Sequence, residues 1–251
     1  VTDGAEINSI TFGSVDEDLV RIHEAEDNVV LQGRLFSLAA PGSQGRGGKI
    51  QLSGRRLEVT AGGTVSTSAF GQGKSGNIVV LVDDILVDGR DGVSAITSDV
   101  GAGVQGRGGT LRSVTDRLTV SNGAFLTSGT FGAGDGGQVL IDASDSVQVS
   151  GGVIRSQVAT GARGQGGTLR IRAGSVSVAD GGQLRTSTAG TGRAGSLVIE
   201  SDGVVTFSAD SLATSQVEAG AAGAGGRIEI VAGRLAIESG AQLLATTVGE
   251  G

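Results

Sequence analysis

The chain has 251 residues, a net charge of −7, 47 glycines, one proline, and no cysteine, tryptophan or tyrosine. The lack of cysteine excludes a disulfide framework or a thiolate metal site, and the negative balance argues against nucleic acid as a main partner. No apolar run approaches the ~18 residues of a membrane helix, so no membrane insertion is expected.

The glycines follow no period of three, which excludes collagen. Aliphatic residues recur among them at fixed intervals, unlike a disordered linker. Taken in order, the chain opens inside a repeat: Val1–Ile7 aligns with Val178–Leu184. Val20 and Ile22 then read as a first strand, Val29 and Leu31 as a second, and Leu35 with Ser37 as a third. Apolar and polar residues alternate in each, as in a strand with one buried face.

Followed onward, these positions form columns. The first-strand column is Val20, Ile50, Ile78, Leu111, Val139, Leu169, Leu197 and Ile228; two residues on lie Ile22, Leu52, Val80, Ser113, Ile141, Ile171, Ile199 and Ile230. The second strand gives Val29, Leu57, Ile85, Leu118, Val147, Val176, Val205 and Leu235. The third gives Ile7, Leu35, Val65, Ile96, Leu126, Ile154, Leu184, Leu212 and Leu243, followed by Ser9, Ser37, Thr67, Ser98, Ser128, Ser156, Thr186, Thr214 and Ala245. Spacing within a column is 28 to 33 residues. A three-stranded unit cannot bury its inner face alone, but stacked copies can.

The expected fold is therefore all-β: one continuous single-stranded right-handed parallel β-helix over residues 1–251, with about eight turns of ~30 residues and three strands per turn. Glycine corners such as Ser53-Gly54 and Ala173-Gly174 should separate the first two strands. Length variation should collect in the Gly-rich loops after the third, such as Ala159–Gly167. The inward hydroxyl column should bond along the rod or to corner carbonyls. Both ends read as cut inside the repeat.

The chemistry-bearing residues are few. His23 beside Glu24, Glu26 and Asp27 reads as a solvated corner. Asp16, Glu17, Asp18, Glu24, Glu26 and Asp27 form the densest acidic cluster, read as a charged corner rather than a calcium site. Asp83 and Asp84 read as corner residues bonded to local backbone. GAGDGG (132–137) resembles part of a calcium nonapeptide but occurs once with Asp. A glycoside-cleaving site needs carboxylates converging on one outer face. The outward columns Gln51, Val79, Arg112, Leu140, Arg170, Val198, Glu229 and Glu58, Leu86, Thr119, Gln148, Ser177, Thr206, Ala236 stack no acids on adjacent turns. No catalytic residue, cofactor or metal is expected, and the chain does not read as an enzyme. In the first outward column Val79, Leu140 and Val198 alternate with Arg112 and Arg170, a super-repeat of ~59 residues. That face is the candidate lateral contact with a neighbouring rod.

The strings GAEINSITFG (4–13), AGGTVSTSAFGQGKSGNI (61–78) and NGAFLTSGTFGAGDGGQV (122–139) resemble the repeat of filamentous-haemagglutinin-like exoproteins of two-partner secretion. The resemblance implies a secreted, surface-attached or filament-forming bacterial protein, structural or adhesive; the ladder edges at both ends and the face of Val79, Leu140 and Val198 add the expectation of homotypic or surface-assembly contacts. Pro41 follows Ala40, so the Asn-Pro motifs of that family's secretion domain are absent and the likeness is to the stalk. The reading from another class is a carbohydrate-active or carbohydrate-binding β-helix meeting a polysaccharide.

Overall fold

A computed structural model describes residues 6–11, 19–24 and 27–249. It is all-β, and every named strand pair is parallel, each strand bonding to its own copy one turn away. The strands are β1 (Glu6–Thr11), β2 (Leu19–His23), β3 (Asn28–Leu31), β4 (Arg34–Ala39), β5 (Lys49–Val59), β6 (Thr64–Ser66), β7 (Asn77–Asp88), β8 (Ala95–Thr97) and β9 (Thr110–Ser121). There follow β10 (Phe125–Thr127), β11 (Gln138–Ser150), β12 (Val153–Arg155), β13 (Thr168–Ala179), β14 (Gln183–Arg185), β15 (Ser196–Phe207), β16 (Leu212–Thr214), β17 (Arg227–Ile237) and β18 (Gln242–Leu244). One sheet stacks the short third strands from β1 to β18, and the other stacks the long strands from β2 to β17. The result is a β-solenoid whose core is the column of side chains pointing inward from every turn.

The inward columns pair as the sequence implies. Ile50, Ile78, Leu111, Val139, Leu169 and Leu197 are fully buried and lie directly over one another. Same-on-same stacking at a rung spacing of ~4.8 Å lets each layer fill its own space without large rings. Ser113 is the polar member, buried between Val80 and Ile141 with no hydrogen-bond partner for its hydroxyl.

The first two strands are not separated by a glycine corner. From β5 on they run as one long strand that bends. In β7 the inward residues are Ile78, Val80 and Val82, then Ile85 and Val87, so the alternation slips by one residue at Asp83-Asp84. A slip of one turns the chain through the bend while keeping apolar residues inside on both arms. The bend adds an inward column that sequence reading missed: Val82, Thr115, Ala143, Ala173 and Ser201, all buried. Small residues suit it because the two arms converge there.

Two further expectations need correction. Leu212 does not enter the third-strand column. Ala213 pairs with Leu184 and is fully buried, Leu212 sits half-buried on the outer side, and Ser215 takes the hydroxyl position expected of Thr214. The corner before β16 holds Ala209 and Asp210 in the left-handed region, and this sets the register against the apolar identity of Leu212. Length variation is also not confined to the Gly-rich loops. The corner Asp88–Ser94 spaces Val87 from Ile96 by nine residues, where Val120 to Leu126 takes six.

With the register corrected, the Gly-rich connections alternate strictly. Fifteen residues separate Leu35 from Ile50, thirteen Val65 from Ile78, fifteen Ile96 from Leu111, thirteen Leu126 from Val139, and so on to Ala213 and Ile228. Each longer connection contains a tight turn with glycine at positive φ: Gly42, Gly103, Gly161 and Gly220. The two-turn super-repeat is thus a property of the backbone.

Part of the hydroxyl column is bonded as expected, while the buried hydroxyls of Ser37 and Thr67 have no hydrogen-bond partner among the described residues. Ser98, Ser128, Ser156 and Ser215 donate to the carbonyls of Gly76, Gly109, Gly137 and Gly195 at 2.6 to 2.8 Å. These bonds tie each third strand to the glycine connection of the turn before, as Ser98, next after β8, is tied to Gly76, and offset the cost of burying those hydroxyls.

Candidate functional site: the outer face of the long sheet

The five residues of the candidate contact face come together. Gln51, Val79, Arg112, Leu140, Arg170, Val198 and Glu229 form one outward ladder. Val79, Leu140 and Val198 are half-buried there, flanked by the arginines. The next outward ladder is Ser53, Leu81, Val114, Asp142, Arg172, Glu200 and Val231. Arg112 meets Asp142 at 3.6 Å, and Glu200 takes both Arg170, at 3.5 Å, and Arg172. The face is a lattice of apolar spots and ion pairs running diagonally between turns. Val231, Leu81 and Val114 are its more exposed apolar members, and the sequence reading had not singled them out.

Two grooves flank this face. One follows the bend, about 780 Å³, floored by the small-residue column and lined by Leu81, Val114, Asp116, Asp142, Glu200 and Val231 among others. Here carboxylates do gather, on ladders outside the two that the sequence analysis compared. Asp116 accepts the Ser144 hydroxyl, and Asp142 and Glu200 are held by arginines. A glycosidase acid must be kept protonated by an apolar enclosure, and none of these carboxyls is buried.

The second groove, about 630 Å³, lies where the Gly-rich connections enter the long strands. Its floor is backbone: Gly47-Gly48, Ser75-Gly76, Gly108-Gly109 and Gly136-Gly137. A Cβ on Gly76, Gly109 or Gly137 would overlap the carbonyl oxygen of the glycine one turn earlier, so side chains cannot fill the trench. Arg46, Lys74 and Arg107 stack on successive turns along one wall, as the bonds from Gly47 N–H to Lys74 O and from Ser75 N–H to Arg107 O fix. Lys49 and Arg112 stand on the other wall.

The singled-out acids resolve individually. Asp135 of GAGDGG is 3.2 Å from Arg107 and accepts the Gln165 N–H at 2.9 Å, so its carboxylate is held by an arginine and the backbone of neighbouring turns. Asp84 does not bond local backbone. It takes a two-point contact from Arg117 one turn on, at 2.7 and 3.2 Å. His23 is exposed, with Nδ1 2.8 Å from Ser53 Oγ. Asp16, Glu17, Asp18 and Glu26 lie outside the described residues. Among the described residues no three His, Cys, Asp or Glu side chains are placed to share a metal ion.

The outer side of the short sheet carries a polar network that the sequence did not flag. Asp99 is half-buried with its carboxyl turned to the next turn, where Oδ1 accepts the Gly129 N–H at 2.6 Å and the Thr127 hydroxyl at 3.0 Å. Arg155 lies near it and over the Phe125 ring, 5.6 Å from the centroid. Burial pushes the Asp99 carboxyl above its ordinary range, against the opposing pull of Gly129, Thr127 and Arg155. A folded-state pKa above the unfolded one means that the unfolded chain ionises first as pH rises. This group's contribution is therefore most favourable below the ordinary carboxylate pKa and is lost as pH rises through the raised one. Asp99→Asn, which keeps the acceptor oxygen, should match the parent near pH 3 and be the more stable protein at pH 7. Urea midpoints at the two pH values check this, and a variant less stable at pH 7 would refute it.

No family model, curated protein or solved structure matches the chain.

Proposed function

We propose that the chain is a stretch of non-enzymatic extracellular rod, a structural or adhesive segment of a secreted filamentous bacterial surface protein. The observation that carries this reading is the division of labour in each turn. Inward columns and glycine connections repeat, while the outward residues change from turn to turn. A stack of parallel ladders gives stiffness by geometry, and its outer positions are free to vary without cost to the core. The ladder containing Val79, Arg112, Leu140, Arg170 and Val198 is the side on which one rod meets another. The polysaccharide-binding reading is favoured by the cation-walled trench and is developed below.

Electron microscopy of material released from the cell tests both parts. Thin rods lying side by side are expected, and Val79→Lys, Leu140→Lys and Val198→Lys combined should leave them single. Compact particles, or the absence of the chain from the cell exterior, would overturn the rod. Unchanged bundles in the triple variant would overturn the contact face.

A further inference from the structure

We infer that the glycine-floored trench is a binding site for a linear polysaccharide carrying one carboxylate per sugar. Its walls hold Arg46, Lys49, Lys74, Arg107 and Arg112, and among the described residues no acidic one lines it, on a chain whose net charge is −7. Arg46, Lys74 and Arg107 repeat a positive charge on successive turns, ~4.8 Å apart along the rod. Like charges directly opposite one another on paired strands destabilise the sheet, so this stacking is not explained by the fold. Arg107 and Arg112 are partly neutralised, at 3.2 Å from Asp135 and 3.6 Å from Asp142. Lys49 and Lys74 are exposed, and neither has a carboxylate partner among the described residues.

The trench runs along the axis, so its ligand is extended and repeats its charge at about the interval of a turn. A polyuronate does both, since a pyranose in an extended chain advances by about one rung. Other polyanions fit less well. Among the described residues no aromatic side chain lines the trench, so they offer no platform for stacking nucleic-acid bases. The same lack removes the stacking surface that a neutral sugar would use. The backbone of the floor is already committed, between turns in the bond from Gly47 N–H to Lys74 O and within a turn in that from Gly76 N–H to Thr67 O, so a peptide strand cannot add there. A flat lipid surface cannot reach the floor of a concave trench.

The inference deepens the adhesive part of the proposed function and is read separately from it, because binding is measured in solution whatever the micrographs show. Affinity electrophoresis or calorimetry with polygalacturonate is the test, with dextran and a DNA duplex as comparison ligands. Binding that weakens steeply with salt is expected. Lys49→Gln with Lys74→Gln should weaken it at least tenfold, with the melting temperature and circular dichroism unchanged. Arg193→Gln, on the same ladder but beyond the trench, should leave it unaltered. Equal binding by the double lysine variant, or binding of dextran or duplex DNA as tight as that of polygalacturonate, would overturn the proposal.

Discussion

Gly134→Ala is expected to lower stability by about 4 kcal/mol or more, although it adds a single methyl group. Two effects coincide at this position. Gly134 has φ of 139°, which L-residues rarely adopt. Its added Cβ would also overlap the carbonyl oxygen of Gly106, one turn earlier. That oxygen belongs to the backbone and cannot swing away, so the turns must separate, and the bond from Gly106 N–H to Ala133 O lies directly alongside. The same pair of effects recurs at Gly164, Gly192 and Gly223, each against the glycine one turn before, while Gly106 shares only the overlap, with the carbonyl oxygen of Gly73. Gly161→Ala is the control. Its φ is also positive, at 76°, but nothing stands within 4 Å of its would-be Cβ, so it should cost only about 1–2 kcal/mol. Urea unfolding with linear extrapolation distinguishes them. If the two variants lie within 1 kcal/mol of each other, the glycine ladder is not what fixes the spacing of the turns.

That ladder marks the limit of what the sequence shows. Columns such as Ile50, Ile78 and Leu111 are legible because burial imposes a period of two along each strand and a fixed return once per turn. The inward hydroxyls were legible for the same reason, and the bonds of Ser98, Ser128 and Ser156 with corner carbonyls follow from it, while Ser37 and Thr67 make none. The bend at Asp83-Asp84 was not, because a one-residue slip inside a continuous strand looks like a break between two strands. Leu212 misled because hydrophobicity favoured it over Ala213, while the register is set by a backbone turn at Ala209 and Asp210. The trench was hidden for a different reason. Its floor is a run of glycines that reads as loop, and its cations are a full turn apart in sequence. Only the pairing of Arg46 with Lys74, and of Lys74 with Arg107, places them on one wall.

The solenoid also predicts that identical truncations have unequal costs along one column. Leu111→Ala should destabilise by about 2–5 kcal/mol. Leu111 is fully buried between Ile78 and Val139, and a cavity there cannot collapse, because the turns on both sides are held by backbone ladders. In the 251-residue polypeptide by itself, Ile228→Ala, at the equivalent place in the last described long strand, should cost under about 2 kcal/mol, since Ile228 is only half-buried there. Each turn touches only its neighbours, so the cavity at Leu111 weakens two interfaces at once, whereas among the described residues the one at Ile228 weakens only the interface with Leu197. Amide hydrogen exchange adds a spatial readout. Leu111→Ala should speed exchange in β7, β9 and β11 together, while Ile228→Ala should act on β15 and β17 and leave β7 protected. Equal costs and uniform loss of protection in both variants would mean that the rod unfolds as one cooperative body, and that the nearest-neighbour stacking inferred from its columns does not govern its stability.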